Sequence, residues 1–148
     1  MKTFPAHFIN VDLDIKSGSD PAVLAEALEN RVIFMHADKI GRQHWLRLCL
    51  TLQPKDPTAA IRRFAKLVRD LPPRARRAWV QAASKEFDIG IQAGFERRSG
   101  EWVLEPEVVQ TIADLGARIR LTVYSPLLVI HENAKRKRAR SRASRRRP

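Results

Sequence analysis

The sequence predicts an α+β fold: a mixed sheet of five to six strands with helices on one face, arranged as a ferredoxin-like β-α-β-β-α-β core plus a final α-β unit. Three observations lead to it. Strict apolar–polar alternation recurs at residues 7–15, 86–96 and 118–124, which is the period of a half-buried strand. Between these segments lie stretches with apolar residues at helical spacing, two of them opening on Asp-Pro. Residues 31–52 hold two apolar runs around a glycine, the pattern of a hairpin.

The elements follow in order. In residues 7–15, Ile9, Val11, Leu13 and Ile15 fall on one side, and Phe8, Asn10, Asp12 and Asp14 on the other. Asp20 then suits an N-cap and Pro21 the first helical position, ahead of an apolar stripe of Val23, Leu24, Ala27 and Leu28. The hairpin is expected to turn through a three-residue loop, Lys39-Ile40-Gly41, because a two-residue turn centred on Ile40 would force a β-branched residue to positive φ. That register pairs Asp38 with Arg42 and His36 with His44. It puts Val32, Phe34, Leu46, Leu48 and Leu50 on one face, with Ile33, Met35, Trp45, Arg47 and Cys49 on the other.

Asp56-Pro57 repeats the helix start, and Ile61, Phe64, Val68 and Leu71 run at helical spacing to Pro72-Pro73. A further helix is expected to carry Ala75, Ala78, Trp79, Ala82 and Ala83 inward. The next strand places Phe87, Ile89, Ile91, Ala93 and Phe95 against Asp88, Gly90, Gln92 and Gly94, and two glycines on one face signal a bulge or a close backbone approach. A turn at Arg98-Ser99-Gly100 leads to a short strand at 102–104. A helix opening at Pro106 is lined by Val108, Val109, Ile112 and Leu115 and is capped by Gly116. The final strand is 118–124, and residues 127–130 are expected to form a short extended segment.

The run Phe87-Asp88-Ile89-Gly90-Ile91-Gln92-Ala93-Gly94, the helix ending in Leu115-Gly116-Ala117 and the strand from Ile119 to Tyr124 resemble an uncharacterised bacterial family, a domain of unknown function. Residues 7–15 and Leu71-Pro72-Pro73 fit the same pattern, so the resemblance covers about residues 7–125. It implies a small cytosolic bacterial α+β domain. It brings no catalytic residues with it.

Charge divides the chain. Of 28 Lys and Arg, nine lie in residues 134–148: Lys135, Arg136, Lys137, Arg138, Arg140, Arg142, Arg145, Arg146 and Arg147. That segment has no acid. The overall net charge of +12 therefore reduces to 19 bases against 16 acids, or +3, over residues 1–133. The segment also lacks any aliphatic larger than Ala, so it cannot bury enough surface to offset its ordering entropy. The expected organisation is one α+β domain over 1–133 and a disordered basic tail over 134–148.

Clustered Arg and Lys neutralise phosphates and release counterions, so the tail is expected to contact nucleic acid weakly and without sequence preference. Arg62, Lys66 and Arg69 share the outer side of the second helix and, with Arg74, Arg76 and Arg77, extend that candidate interface onto the body. The alternatives are a protein-interaction module, immunity-like or regulatory, with an incidental tail, and an enzyme with a site around Asp12, Asp14 and Gln92. A homo-oligomer through an exposed sheet edge is compatible with each. His36 and His44 are too few for a zinc site, and there is no paired-Cys spacing, phosphate-cradling glycine loop or nucleophile elbow, so no cofactor or metal is expected. Cys49, the lone cysteine, reads as a semi-buried strand residue in a reducing, cytoplasmic setting. No apolar stretch is long enough for a membrane span, and residues 1–7 lack the pattern of a secretory signal.

Overall fold

Alternation in the first strand sets which way the whole sheet faces. The computed structural model describes residues 4–95 and 100–126, and within them the chain runs β1 (His7–Ser17), α1 (Ala22–Leu28), β2 (Val32–Ile40), β3 (Gln43–Leu50), α2 (Pro57–Arg69), α3 (Pro73–Gln81), β4 (Ser84–Gln92), α4 (Pro106–Asp114) and β5 (Arg118–Tyr124). The fold is α+β. Its one sheet has five strands in the order β2-β3-β1-β4-β5. The first four are antiparallel to their neighbours, with β3 inserted between β1 and β2, and β5 joins β4 in parallel.

Val11, Leu13 and Ile15 project to one face, level with Leu46 and Leu48 of β3 and with Phe87 and Ile89 of β4. All seven are buried, and they form one cluster with Leu24 and Leu28 of α1, Ile61, Phe64 and Val68 of α2, Trp79 of α3, and Val108 and Ile112 of α4. The helices thus share one face of the sheet. At its centre Phe64 and Phe87 meet at 5.8 Å between ring centroids, tilted by 50°. Burying an aromatic of this size contributes about 1.5–3 kcal/mol.

The local signals mostly act as expected. Asp56 caps α2 by accepting from the Ala59 backbone N–H at 2.8 Å, with Pro57 in the first turn. Gly116 follows α4 at φ +63°. In α1 the start is displaced by one residue: Pro21 holds the cap position, and Asp20 reaches past it to accept from the Ala22 N–H at 3.0 Å.

Other expectations are corrected. The hairpin turns on two residues, Gly41 and Arg42, with Ile40 paired to Gln43. Gly41, at φ +61°, takes the left-handed position, so Ile40 stays extended. His36 therefore opposes Arg47 and His44 opposes Lys39, and Asp38 lies across from Trp45. A bulge between Phe34 and His36 then sets Phe34 against Leu48 and Val32 against Leu50, two positions from the expected partners, so the side-chain parity and the expected inner face survive. A second bulge, between Phe8 and Asn10, turns Phe8 onto the core and leaves Ile9 exposed. Residues 102–104 form no strand; Trp102 and Leu104 pack on the core as irregular chain. β4 ends at Gln92. Ala83 is exposed rather than inward. The turn through Arg98, the segment 127–130 and the basic segment 134–148 lie outside the described residues.

Candidate functional site

The face of the sheet opposite the helices is where chemistry-bearing side chains collect. Alternation in β1 puts Asn10, Asp12 and Asp14 there. The register then brings Arg47 and Cys49 from β3, Glu86 and Asp88 from β4, and Arg118, Arg120 and Thr122 from β5 to the same level. None of the described helices covers this face, yet Asp14, Glu86 and Asp88 are only 5%, 5% and 6% exposed. Arginines close over them.

Arg47 donates Nε and Nη2 to the two Asp14 oxygens at 2.7 and 2.6 Å, and its Nη2 also reaches Asp88 at 3.2 Å. Such a planar fork matches a carboxylate in geometry as well as charge. Arg120 pairs with Glu86 at 2.5 Å and lies 3.8 and 3.9 Å from Asp14 and Asp88. Arg118 donates to the other Glu86 oxygen. The Thr122 hydroxyl donates to Asp88 at 2.5 Å. Each of these three carboxylates is therefore bound by donors from neighbouring strands, which is what makes its burial tolerable.

Asp12 differs. Its recorded donor is the Asn10 side-chain amide, at 2.9 Å. Burial raises its pKa above the ordinary aspartate value; Arg47 opposes that rise, while Asp14 and Asp88 add to it. The bond to Asp14 holds the Arg47 guanidinium firmly in its charged form. Next to Asp12, burial and the same carboxylate push the Cys49 thiol up, the opposite of what a nucleophilic thiolate needs. Beside Arg47, Trp45 stacks on His36 at 5.1 Å with the guanidinium 5.7 Å over its ring, and among the described residues its buried Nε1 has no hydrogen-bond partner.

This arrangement is poorly suited to acid–base chemistry. Asp14 is committed to Arg47, and Gln92 points its amide at the Tyr124 and Ser125 carbonyls. Three surface grooves among the described residues lie elsewhere. One of about 420 Å³ runs beside α2, lined by Arg31, Arg63, Lys66 and Asp70 among others. One of about 680 Å³ lies between α1 and α3, and one of about 220 Å³ lies beside the hairpin. None is lined by Asp12, Asp14 or Gln92. Asp14 is also not the exposed carboxylate that a simple polar sheet face would carry. Among the described residues no group of His, Cys, Asp and Glu could hold a metal ion.

Of the candidate cations, Arg62, Lys66 and Arg69 stand exposed on the outer side of α2. Arg62 pairs with Glu107 of α4 and Lys66 with Asp70, both at 2.8 Å. The nine cations from Lys135 to Arg147 fall outside the described residues. The sequence reading missed Arg118, Arg120, Glu86 and Asp88 as a group. Alternation did put each pair on one strand face, but which strands adjoin was not legible. None of the described helices is long and apolar enough to cross a membrane. No family model, curated protein or solved structure matches this chain.

Proposed function

We propose that the chain is a non-enzymatic binding domain whose basic segment, residues 134–148, contacts nucleic acid weakly and without sequence preference. The observation that supports this is the partition of charge. Residues 1–133 hold 19 bases against 16 acids, and five of those bases, Arg47, Arg62, Lys66, Arg118 and Arg120, have a carboxylate within 4 Å. The segment from 134 has nine cations and no acid of its own. A polyanion gains most where cations are not already neutralised, because each phosphate contact then releases condensed counterions. The open sheet face is unsuited to that role, since Asp14, Glu86 and Asp88 lie beneath its arginines.

Arg62, Lys66 and Arg69 extend the same proposed interface, at the cost of opening surface pairs worth less than about 1 kcal/mol each. Membership of the uncharacterised bacterial family and a cytoplasmic setting belong to this proposal and assign no activity. The test is a salt titration on duplex DNA with the full chain and with a variant whose nine segment cations are replaced by Gln. With about five phosphates engaged, log K falls against log salt with a slope near −4.5, from ~0.9 per contact. The variant loses most of that affinity and keeps its far-UV spectrum. Equal binding by the two proteins overturns the reading.

A further inference from the structure

We propose that two copies of this chain join edge to edge through β5, antiparallel about a two-fold axis at Leu121, to make one continuous sheet. The inference is independent of the nucleic-acid reading.

The backbone comes first. β5 is an outer strand of the sheet, and the Ala93 N–H donates to the Tyr124 carbonyl at 2.9 Å. In a parallel ladder, alternate residues of a strand turn both backbone groups to the same neighbour. Tyr124, Thr122, Arg120 and Arg118 therefore turn to β4, and Ile119, Leu121 and Val123 turn outward. These same three residues have side chains 43%, 59% and 60% exposed. Among the described residues, open hydrogen-bonding groups and open apolar side chains coincide on one row.

The two edges of the sheet differ in a telling way. β2 is interrupted by its bulge between Phe34 and His36 and carries Asp38 and Lys39 towards the tip. Bulges and charges are the usual means of preventing strand addition. β5 keeps an unbroken register with β4 from Arg118 to Tyr124 and contains neither bulge nor proline, and its two charges, Arg118 and Arg120, are drawn onto Glu86.

The row is also complementary to itself. With the axis at Leu121, Ile119 opposes Val123 of the second copy and Leu121 opposes its own counterpart. On the other face Arg120 meets Thr122, and Arg118 meets the Tyr124 ring, a favourable cation–π pairing. Moving the axis to Arg120 sets Arg120 against Arg120, and moving it to Ile119 sets Arg118 against Arg120; like charges directly opposite are destabilising. The outward residues are then the hydrogen-bonded pairs of the new ladder, and this axis keeps the arginines of the two copies from lying directly opposite one another. Arg118 and Arg120 stay tied to Glu86, which lowers the repulsion between the two copies.

Sedimentation of the full chain over a range of concentrations should show a monomer–dimer equilibrium. Leu121→Lys puts two ammonium groups on the axis and should weaken it roughly tenfold or more, a change of about 1.4 kcal/mol. Met35→Lys, on the β2 edge, should leave it unchanged. Because a lysine could also disturb folding, a second arm uses Leu121→Cys in a Cys49→Ser background. The Cα atoms of a hydrogen-bonded antiparallel pair are about 5.5 Å apart, within disulfide range. Oxidation should therefore cross-link Leu121→Cys into a dimer far faster than Val123→Cys. A monomer at every concentration, which is the result if residues 127–130 cover this edge, overturns the proposal. So does a dimer indifferent to Leu121→Lys, or cross-linking with no preference for position 121.

Discussion

Arg47 and Asp14 face each other across β3 and β1, joined by two near-parallel hydrogen bonds of 2.7 and 2.6 Å on the sheet face opposite the described helices. Arg47 is the lid over Asp14 as well as its counter-charge. Removing it leaves Asp14 with only the distant Arg120 and takes a donor from Asp88. Breaking one side of a buried pair is costly because the remaining charge stays desolvated. Arg47→Met should therefore lower unfolding stability by about 3 kcal/mol. Arg47→Lys should recover only part of that, since an ammonium cannot reproduce the fork. Urea denaturation of the three proteins checks both statements.

Asp12 should make stability fall as pH rises. Its folded-state pKa is raised above the ordinary value of 3.8, so the native state holds the proton more tightly than the unfolded chain does. The stabilisation from that proton is fully present below the unfolded value and is lost as pH climbs through the raised one. Asp12→Asn mimics the protonated form and keeps a partner for Asn10. It should be more stable than the parent at pH 7, with the difference shrinking towards pH 4. Thermal unfolding of both proteins at the two pH values tests this, and a difference that grows on acidification would refute it.

Gly94 should tolerate alanine worse than Gly90. A Cβ at Gly94 would lie 2.3 Å from the Ala6 nitrogen and 2.6 Å from the Phe4 carbonyl oxygen, so backbone must move. At Gly90 the nearest atom is the Asn10 side-chain oxygen at 2.6 Å, which can rotate away by giving up its place beside Asp12. Gly90→Ala should cost about 1 kcal/mol, the scale of one side-chain hydrogen bond. Gly94→Ala should cost about 2 kcal/mol or more, as overpacking does. Denaturant midpoints rank the two.

The Phe64–Phe87 contact joins α2 to β4 at the middle of the core. Phe64→Ala should cost about 3–5 kcal/mol and Phe64→Leu less than ~1.5 kcal/mol, because leucine refills most of the volume. Equal losses would mean that the ring geometry, rather than the volume, is what stabilises the contact.

What the sequence made legible follows the range of the forces involved. Asp56, Pro57 and Gly116 act within a few residues of themselves, and the structure has them as expected; the strand from Arg118 to Tyr124 also forms, but its apolar row of Ile119, Leu121 and Val123 is exposed rather than half-buried. The core face of the hairpin was also readable, because the bulge after Phe34 reduces a three-residue pairing error at the tip to two residues, which leaves side-chain parity intact. The turn was not, because a glycine after Ile40 serves equally as the last residue of a three-residue loop or the first of a two-residue one. Ile9 went to the wrong face because a bulge has no dependable local signal. The charge network was hidden for a further reason: Asp14 lies 33 residues from Arg47 and Asp88 lies 34 from Thr122, so the contacts depend on strand order.

The central place of β1 in the sheet has a consequence for how the chain is made. β1 emerges first, yet its neighbours are β3 and β4, and Val11 must wait for Ile89, 78 positions later, before both its edges are closed. At about 5–20 residues per second, translation leaves it half-paired for roughly 4–16 s. The β2–β3 hairpin is local and is complete long before that. Throughout the interval the sheet's eventual middle strand is a nascent edge, with Val11, Leu13 and Ile15 open along one side. Of the two strands inside the sheet that are made before α2 and α3, β1 waits longest for its second neighbour, and ribosome-bound chains stalled before Ser84 should present its open edge.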